Sequence, residues 1–456
     1  MDGASLLIEQ IDYLLPMDER QSILRGGWVW IENGLVRETG TGAVSGEVPE
    51  LIPRLSGRGR IALPGLINTH HHFYQNMARA YTPGNNLPLL PWLTVLNRLW
   101  ETFREDDLAL CTQLGLLELM LSGATTCADH HYLFPEGAEK LIDAQFEAAA
   151  QLGIRLHASR GSMDMPSNLV ADWALQAIDP IIEDTQRLIE AFHDPSPQSM
   201  RQVIVAPCAA TSCSKDLLRQ SALLAHSHGV GLHTHCGETV AETEYSLATY
   251  GKRPLEYLFE CGGDYERAWL AHGIHFDDTE LAKLALAGIG VAHCPNANMR
   301  LGSGICRTRD LRRHGVKVGI AVDGSGSNDS GHILAELRQA LYLARVRDGP
   351  EAMSVLDALE MGTWRAAQVI GRPGLGRLLP RYCGDLALFP VDDLYASGCE
   401  NPPDSLLLCH PRTVGELVVG GRILVRNGHP IGIDTGALIA RHTTRARELR
   451  AGAGLS

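Results

Sequence analysis

No apolar run in the 456 residues approaches the roughly 20 needed to cross a bilayer, so a membrane-spanning segment is not expected. A basic n-region is missing as well. The first residues, MDGASLLIEQIDYLL, set acids among apolar side chains, which does not fit a secretory leader and leaves the cytoplasm as the expected location. The eleven cysteines are odd in number and lack a paired spacing, which argues for free thiols in a reducing compartment rather than a disulfide scaffold. An excess of basic charge is lacking too: 40 basic against 53 acidic residues give a formal net charge of −13. Nucleic acid is therefore not an expected partner, since binding a phosphate backbone relies on grouped cations. A small neutral molecule fits better. No low-complexity segment interrupts the chain.

What is present is an ordinary globular balance, 45% hydrophobic and 20% charged, in a chain long enough for a barrel of about 250 residues plus a second unit. Eight short β-rich apolar runs recur: IALPGLIN, GATTCAD, GIRLHAS, QVIVAPC, GVGLHTH, RAWLAHG, GIGVAHC and VKVGIAVD. Each leads into a polar loop and then a helical pattern, such as DDLALCTQLGLLELMLSG or DTELAKLALAG. This alternation predicts an α/β fold whose parallel βαβ units close into a (β/α)8 TIM barrel over residues 62–379, with an open doubly wound sheet as the alternative. The stretches 1–61 and 380–456, with GWVWIE in one and VGELVVGGRILVRNG in the other, are expected to form one small, split, β-sandwich-like domain.

Polar residues gather where the runs end: His70 and His72, Asp129 and His130, Arg160, Cys208, His235, His272, His293 and Asp323. In a barrel these are the carboxyl ends of the strands, where active sites are built. In NTHHHFYQ the alternation of an extended strand puts His70 and His72 on one face and His71 on the other. LHTHCGET supplies a second H-x-H. Its period admits both His233 and His235, and the later position of His235, nearer the rim, favours it; Glu238 follows three residues on. Asp323 stands in AVDGSGSND. Three histidines and a carboxylate make a donor set suited to zinc or to iron(II).

The segments PGLINTHHH, HTHCGE, LAHGIH, AHCPNANMRLGSG and VDGSGSND resemble the amidohydrolase superfamily, in its deaminase and chlorohydrolase branch, over nearly the whole chain. The resemblance implies one divalent metal ion on His70, His72, His235 and Asp323, a catalytic glutamate at Glu238 and a catalytic strand-six histidine at His272. It also implies a homo-oligomer. Binuclear relatives carry a carboxylated lysine at the end of strand four, whereas QVIVAPCAA has no lysine, so a single metal is expected. His130, His131, His275 and His293 are assigned hydrogen-bonding or packing roles. The chemistry expected is hydrolytic deamination of an aromatic ring by a metal-activated water. Asp323 takes the water's proton, Glu238 protonates a ring nitrogen and then the leaving amine, and His272 steadies an oxygen. The plainer alternatives are a helix-start carboxylate for Glu238 and a buried, backbone-satisfied histidine for His272.

Pro207-Cys208 is not followed by a C-x-x-C spacing or partnered by an H-x-E, which sets aside the zinc deaminases that edit nucleic acids. HHHFYQ and LPLLPWL resemble guanine deaminases, which places Gln75 against a purine edge. Trp92 would shield one side of the pocket, unless it is only a packed core aromatic. The Pro-Arg-Phe of guanine deaminases is replaced here by Pro207-Cys208-Ala209. HHHFYQ, RGSMD and APC together look most like 8-oxoguanine deaminases, which implies conversion of 8-oxoguanine and water to urate and ammonia. Cys208 would then line the pocket, and Arg160 would polarise an oxo group or, alternatively, form a salt bridge. Isoxanthopterin, guanine and hydroxy-s-triazines are the neighbouring alternatives. A cyclic amide hydrolase is the remote one, because it calls for the missing lysine.

Overall fold

The structure, a computed structural model, describes residues 4–166, 171–391 and 394–454. Eight parallel strands form its centre: β1 (Leu66–Asn68), β2 (Ala124–His131), β3 (Arg155–Ser162), β4 (Arg201–Pro207), β5 (Gly231–Cys236), β6 (Ala268–His272), β7 (Gly290–His293) and β8 (Lys317–Ile320). Each pairs with the next in chain order. A doubly wound sheet reverses its order at a switch point, and none occurs here. The two ends of the sheet also meet. Thr69 N donates to the Ile320 carbonyl at 3.1 Å, Val322 N donates to Asn68 Oδ1 at 2.9 Å, and Asp323–Gly324 pairs in parallel with His71–His72. The result is a nearly closed (β/α)8 barrel.

Helices fall where the sequence predicts them, at Glu105–Leu121 and Asp278–Ala287 among others. The second starts with a capping box: the Asp277 side chain accepts Glu280 N–H and Glu280 Oε2 accepts Asp277 N–H, both at 2.9 Å, which satisfies two otherwise orphaned donors. Beneath the barrel's rim, Ile67, Ala128, Ile204, Trp269, Ala292 and Ala321 pack as one buried cluster.

Strands from both ends of the chain form a second, nine-stranded sheet. Leu6–Leu14, Leu24–Glu32, Leu35–Thr41 and Arg60–Pro64 join Leu386–Pro390, Glu416–Val419, Arg422–Arg426 and His429–Pro430, with Arg54–Ser56 alongside Leu6–Leu14. One run read from sequence as a single barrel strand, IALPGLIN, is thus divided between two sheets, with only Gly65 between Arg60–Pro64 and β1. A Cβ on Gly65 would lie 2.2 Å from Thr125 Oγ1, so only glycine allows this close crossing. A buried two-pronged pair ties sheet to barrel: Arg155 Nε and Nη2 reach the Asp385 carboxylate at 2.8 and 3.0 Å. The C-terminal stretch also departs from the all-β expectation. Thr435–Gly452 is a helix, held to the barrel by Arg445 on Asp107 at 2.6 and 3.0 Å. No helix among the described residues is long and apolar enough to cross a membrane.

Candidate active site

The carboxyl ends of the strands place six sequence-selected residues around one point. His70 and His72 follow β1, His235 lies near the end of β5, and Glu238 stands two residues beyond that strand. His272 ends β6 and Asp323 lies just past β8. His272 and Asp323 both take left-handed backbone conformations, φ 73° and 62°. Residues with a Cβ hold such conformations at about 1–3 kcal/mol each, and only where their surroundings over-determine them.

The hydrogen bonds of the histidines decide where their lone pairs point. His72 Nδ1 lies 2.6 Å from the His130 carbonyl and His235 Nδ1 lies 2.7 Å from the Cys208 carbonyl. A carbonyl only accepts, so both Nδ1 atoms carry the proton and both Nε2 atoms present lone pairs. His233 Nδ1 donates in the same way to the Trp269 carbonyl at 2.9 Å, so His233 Nε2 accepts from His70 Nδ1 at 2.7 Å. His70 Nε2 is left bare, buried and without a hydrogen-bond partner among the described residues. Second protons on these rings are disfavoured. Burial, reinforced by neighbouring histidines, holds His70 and His235 well below the usual imidazole range, and burial lowers His72 despite Asp323 nearby.

Three lone pairs therefore converge. The Nε2 atoms of His72 and His235 stand 3.2 Å apart, and Asp323 Oδ1 lies 3.4 Å from Nε2 of both His70 and His72. Facing lone pairs repel unless a cation sits among them. Nitrogen and oxygen donors, the imidazoles held through their other ring nitrogen by a backbone carbonyl or by His233, are what a zinc-type ion requires, so these four residues fit a divalent metal. Among the described residues, one further set has ligand atoms within 4.8 Å of one another: His272, Cys294 and Asp323. His131 Nε2 is engaged by the Leu133 carbonyl at 2.6 Å and His275 Nε2 by the Ser303 carbonyl at 2.8 Å.

Beside the ligand set, Glu238 Oε2 faces His272 Nε2 at 3.6 Å. Burial pushes the Glu238 carboxyl up to about 7, with the charge of His272 opposing and that of Asp323 adding. Burial would lower His272, but Glu238 and Asp323 outweigh it and the net direction is upward. Burial would likewise raise Asp323, yet His72, His272 and His235 hold it below the usual carboxylate range. One carboxyl is poised to exchange a proton near neutrality while its neighbour stays ionised, the separation that acid–base chemistry needs.

A cavity of about 200 Å³ opens over this centre, lined by His72, His235, Glu238, His272 and Asp323 together with Gln75, Trp92 and Cys208. Gln75 is buried and its Oε1 has no hydrogen-bond partner among the described residues. It passes so close to Gly324 that a Cβ there would lie 1.9 Å from that oxygen. Trp92 is buried in the helix Leu89–Trp100. Cys208 contributes mainly its carbonyl, which orients His235; burial raises its thiol, which stays neutral. Arg160 does not line the cavity. Its guanidinium stacks on Phe134 with Cζ 3.9 Å from the ring centroid, and it binds Asp184 at 3.2 Å, the Gly161 carbonyl at 2.7 Å and Gln176 at 2.5 Å. Of the two sequence-level readings of Arg160, the salt bridge is the one this arrangement fits.

Several supporting residues escaped the sequence reading. Asn298 Oδ1 accepts His272 Nδ1–H at 2.9 Å, and the Glu242 carboxylate takes the backbone N–H groups of Gly237 and Glu238 at 3.1 and 2.7 Å. His233 was visible as the other half of its H-x-H, but only the fold shows that it lies beneath His70 rather than at the rim. His130 lies among the rings of His70, His72, His233 and His235, at centroid distances of 4.7 to 5.7 Å.

The chain is 42% identical over 445 residues to the 8-oxoguanine deaminase of Pseudomonas aeruginosa, covering 93% of this chain and 99% of that protein. It is 35% identical over 393 residues to the hydroxydechloroatrazine ethylaminohydrolase of Pseudomonas sp. (strain ADP), covering 83% and 80%. A solved structure of an atrazine chlorohydrolase from Arthrobacter aurescens TC1 complexed with zinc superposes with a TM-score of 0.92 at 31% identity, over 97% of this chain and 100% of that one. A sequence model of the amidohydrolase family matches residues 61–424, a span that takes in every strand end around the cavity, and the chain belongs to that family.

Proposed function

We propose that the protein is a metal-dependent hydrolytic deaminase of a 2-amino-oxopurine, converting 8-oxoguanine and water to urate and ammonia. The broader class, a hydrolase of C–N bonds, is what its deaminase and hydrolase relatives support together. The observation that carries the mechanism is the Glu238 carboxyl, raised to about 7 and set 3.6 Å from His272 beside the converging lone pairs.

His70, His72, His235 and Asp323 would hold one divalent ion, zinc or iron(II), whose charge lowers the pKa of a water toward about 7 and makes a nucleophile available at neutral pH. The water's proton passes to the Asp323 carboxylate. Glu238 protonates the ring nitrogen beside the amine-bearing carbon; as the C–N bond breaks, the proton taken up by Asp323 goes to the departing amine, and the hydroxyl proton of the adduct returns to Glu238 as the carbonyl forms. His272 Nε2, its ring fixed through Nδ1 by Asn298, donates to the oxygen that joins the ring, where negative charge develops. Ammonia leaves and a ring carbonyl remains. Gln75 Oε1, buried and unpartnered, accepts from a donor on the purine edge, and Trp92 covers the ring.

Support for the oxidised purine comes from the 42% identity to a named 8-oxoguanine deaminase and from Cys208 standing where guanine deaminases carry arginine. A hydroxy-s-triazine is the second reading. It is favoured by the apolar outer wall of Leu89, Leu90, Leu93 and Ala174 and by the ethylaminohydrolase relative. The deciding experiment measures ammonia release by purified, zinc-supplemented protein from 8-oxoguanine, guanine, isoxanthopterin and a hydroxylated aminotriazine in parallel. Preference for 8-oxoguanine supports the full reading. Turnover of isoxanthopterin or the triazine alone keeps the mechanism and overturns the substrate, and no ammonia from any of the four overturns both.

A further inference from the structure

Glu336 is buried, with 0% of its surface exposed, and takes no part in the chemistry above. It stands in the first turn of the helix Ile333–Asp348, and its carboxyl group is a meeting point for three N–H donors. Oε1 accepts from Asn296 Nδ2 at 2.5 Å and from Asn328 Nδ2 at 2.7 Å, while Oε2 accepts from Asn296 N at 3.2 Å. Burial pushes this carboxyl up to about 8 against the pull of those donors. Ionising it here would therefore cost stability.

The two asparagines belong to separate strand-end segments, and each leads to a reacting side chain. Asn296 opens the short helix Pro295–Arg300. That helix also carries Asn298, which fixes His272 Nδ1. Asn328 donates from Nδ2 to the Val322 carbonyl at 2.6 Å and from its backbone N to the Gly324 carbonyl at 2.9 Å. Val322 and Gly324 are the residues on either side of Asp323. His272 and Asp323 are also the two site residues with left-handed backbones, conformations that need bracing from outside.

We infer that Glu336 is a positioning residue: a single buried carboxyl group that braces His272 through Asn296 and its helix, and Asp323 through Asn328. The inference rests on the reading of His272 and Asp323 as residues of the reaction. Replacing Glu336 by alanine would leave three buried N–H donors unpaired and free both segments to shift. Displacements of about 1 Å in a reacting constellation can lower rates about 100-fold.

The test uses the full chain loaded with cobalt(II), whose visible absorption reports the geometry of its ligands, alongside the zinc-loaded form for kinetics. In Glu336→Ala, kcat should fall about 30-fold or more with KM within about threefold, and the cobalt band should shift or weaken. Glu336→Gln keeps an oxygen for both side-chain amides and should recover kcat to within about fivefold of the native protein. Asn328→Ala should reproduce the cobalt change, because it acts on Asp323. Asn296→Ala should lower kcat while leaving the cobalt band in place, because it acts on His272. Native kcat and an unmoved band in Glu336→Ala overturn the inference, as does a defect confined to KM or one that Glu336→Gln does not rescue. If Glu336→Ala does not fold, the asparagine variants decide, and native behaviour in both overturns it. If the native protein turns over none of the four substrates, the deaminase reading fails, yet the cobalt bands of Glu336→Ala and Asn328→Ala still judge the brace.

Discussion

Replacing Glu238 by glutamine removes one proton-carrying group and little else. The amide matches the carboxyl in size, and the carboxylate's ionic neighbour among the described residues is His272 at 3.6 Å rather than the three facing lone pairs, so metal content should stay at the native level. Proton transfer by a positioned group contributes about 10²–10⁴ in rate, which at about 1.4 kcal/mol per decade is about 3–5 kcal/mol of barrier. The variant should lose that much kcat with KM little changed. Its pH behaviour adds a second readout. Glu238 acts in its acid form, so native kcat/KM should fall as pH rises through about 7, and the variant's residual activity should lack that limb. Stability moves in step. A carboxyl raised from 4.5 to about 7 in the folded protein makes the native state bind more protons than the unfolded one between those values. Stability is therefore lost as pH rises through them, by up to about 3 kcal/mol. Metal-free Glu238→Gln should melt higher than the native protein at pH 8 and at the same temperature at pH 4. Near-native ammonia release by the variant, or an alkaline limb that survives the substitution, would refute the proton-shuttle role.

His70→Ala removes a bare lone pair and the proton given to His233, so metal and activity should disappear together; full occupancy by elemental analysis would show that the ligand was wrongly chosen. Gly324→Ala drives a Cβ to 1.9 Å from Gln75 Oε1 and should raise KM as much as Gln75→Ala does, and a native KM would remove Gln75 from substrate contact. Arg160→Met keeps a stem over Phe134 and should leave kcat/KM within about threefold of native; a loss of tenfold or more would place the guanidinium on the substrate after all. Arg155→Ala leaves the Asp385 carboxylate buried and unpaired and should destabilise by about 3–5 kcal/mol, visible in a denaturant titration whose midpoint, if unmoved, denies the pair any structural weight.

Much of the arrangement of the candidate ligands was legible in sequence because a strand has a fixed period. His70 and His72 had to share a face, and the polar ends of eight apolar runs had to gather at one rim once those runs closed in order. What the period could not resolve was choice within it. His233 and His235 share a face too, and only the hydrogen bond from His70 to His233 separates the support from the ligand. IALPGLIN reads as one strand because nothing in its hydropathy marks Gly65 as a crossing point; the mark is Thr125, 60 residues away in the chain and 2.2 Å from the missing Cβ. Arg160 illustrates another limit. Its position at a strand end was readable, but its direction depends on Asp184 and Gln176, 24 and 16 positions along. Asn298 lies in the segment AHCPNANMRLGSG, but neither it nor Glu336 shows its role in sequence, since an amide or a carboxyl in a helix gains that role from what the helix is packed against. The helix Thr435–Gly452 buries only Leu438, Ala446 and Leu449, too thin an apolar stripe to stand out.

The seam of the barrel has a consequence for how the protein comes into being. Val322 reaches Asn68 across 254 positions of sequence, the short pairing beside it sets His71 opposite Asp323, and the Asp323 carboxylate meets His72 Nε2 at 3.4 Å. During synthesis the histidines emerge early and wait, while the carboxylate that faces them is translated about 250 residues later. A nascent chain without its last barrel strand holds only part of the set. On the proposed reading, an ion bound by both sides of the seam would favour the finished barrel over every incomplete one, by an amount that grows with its free concentration. Such long-range closure is the slow kind, and on the proposed reading the atoms that complete the barrel are also those that would equip it for chemistry.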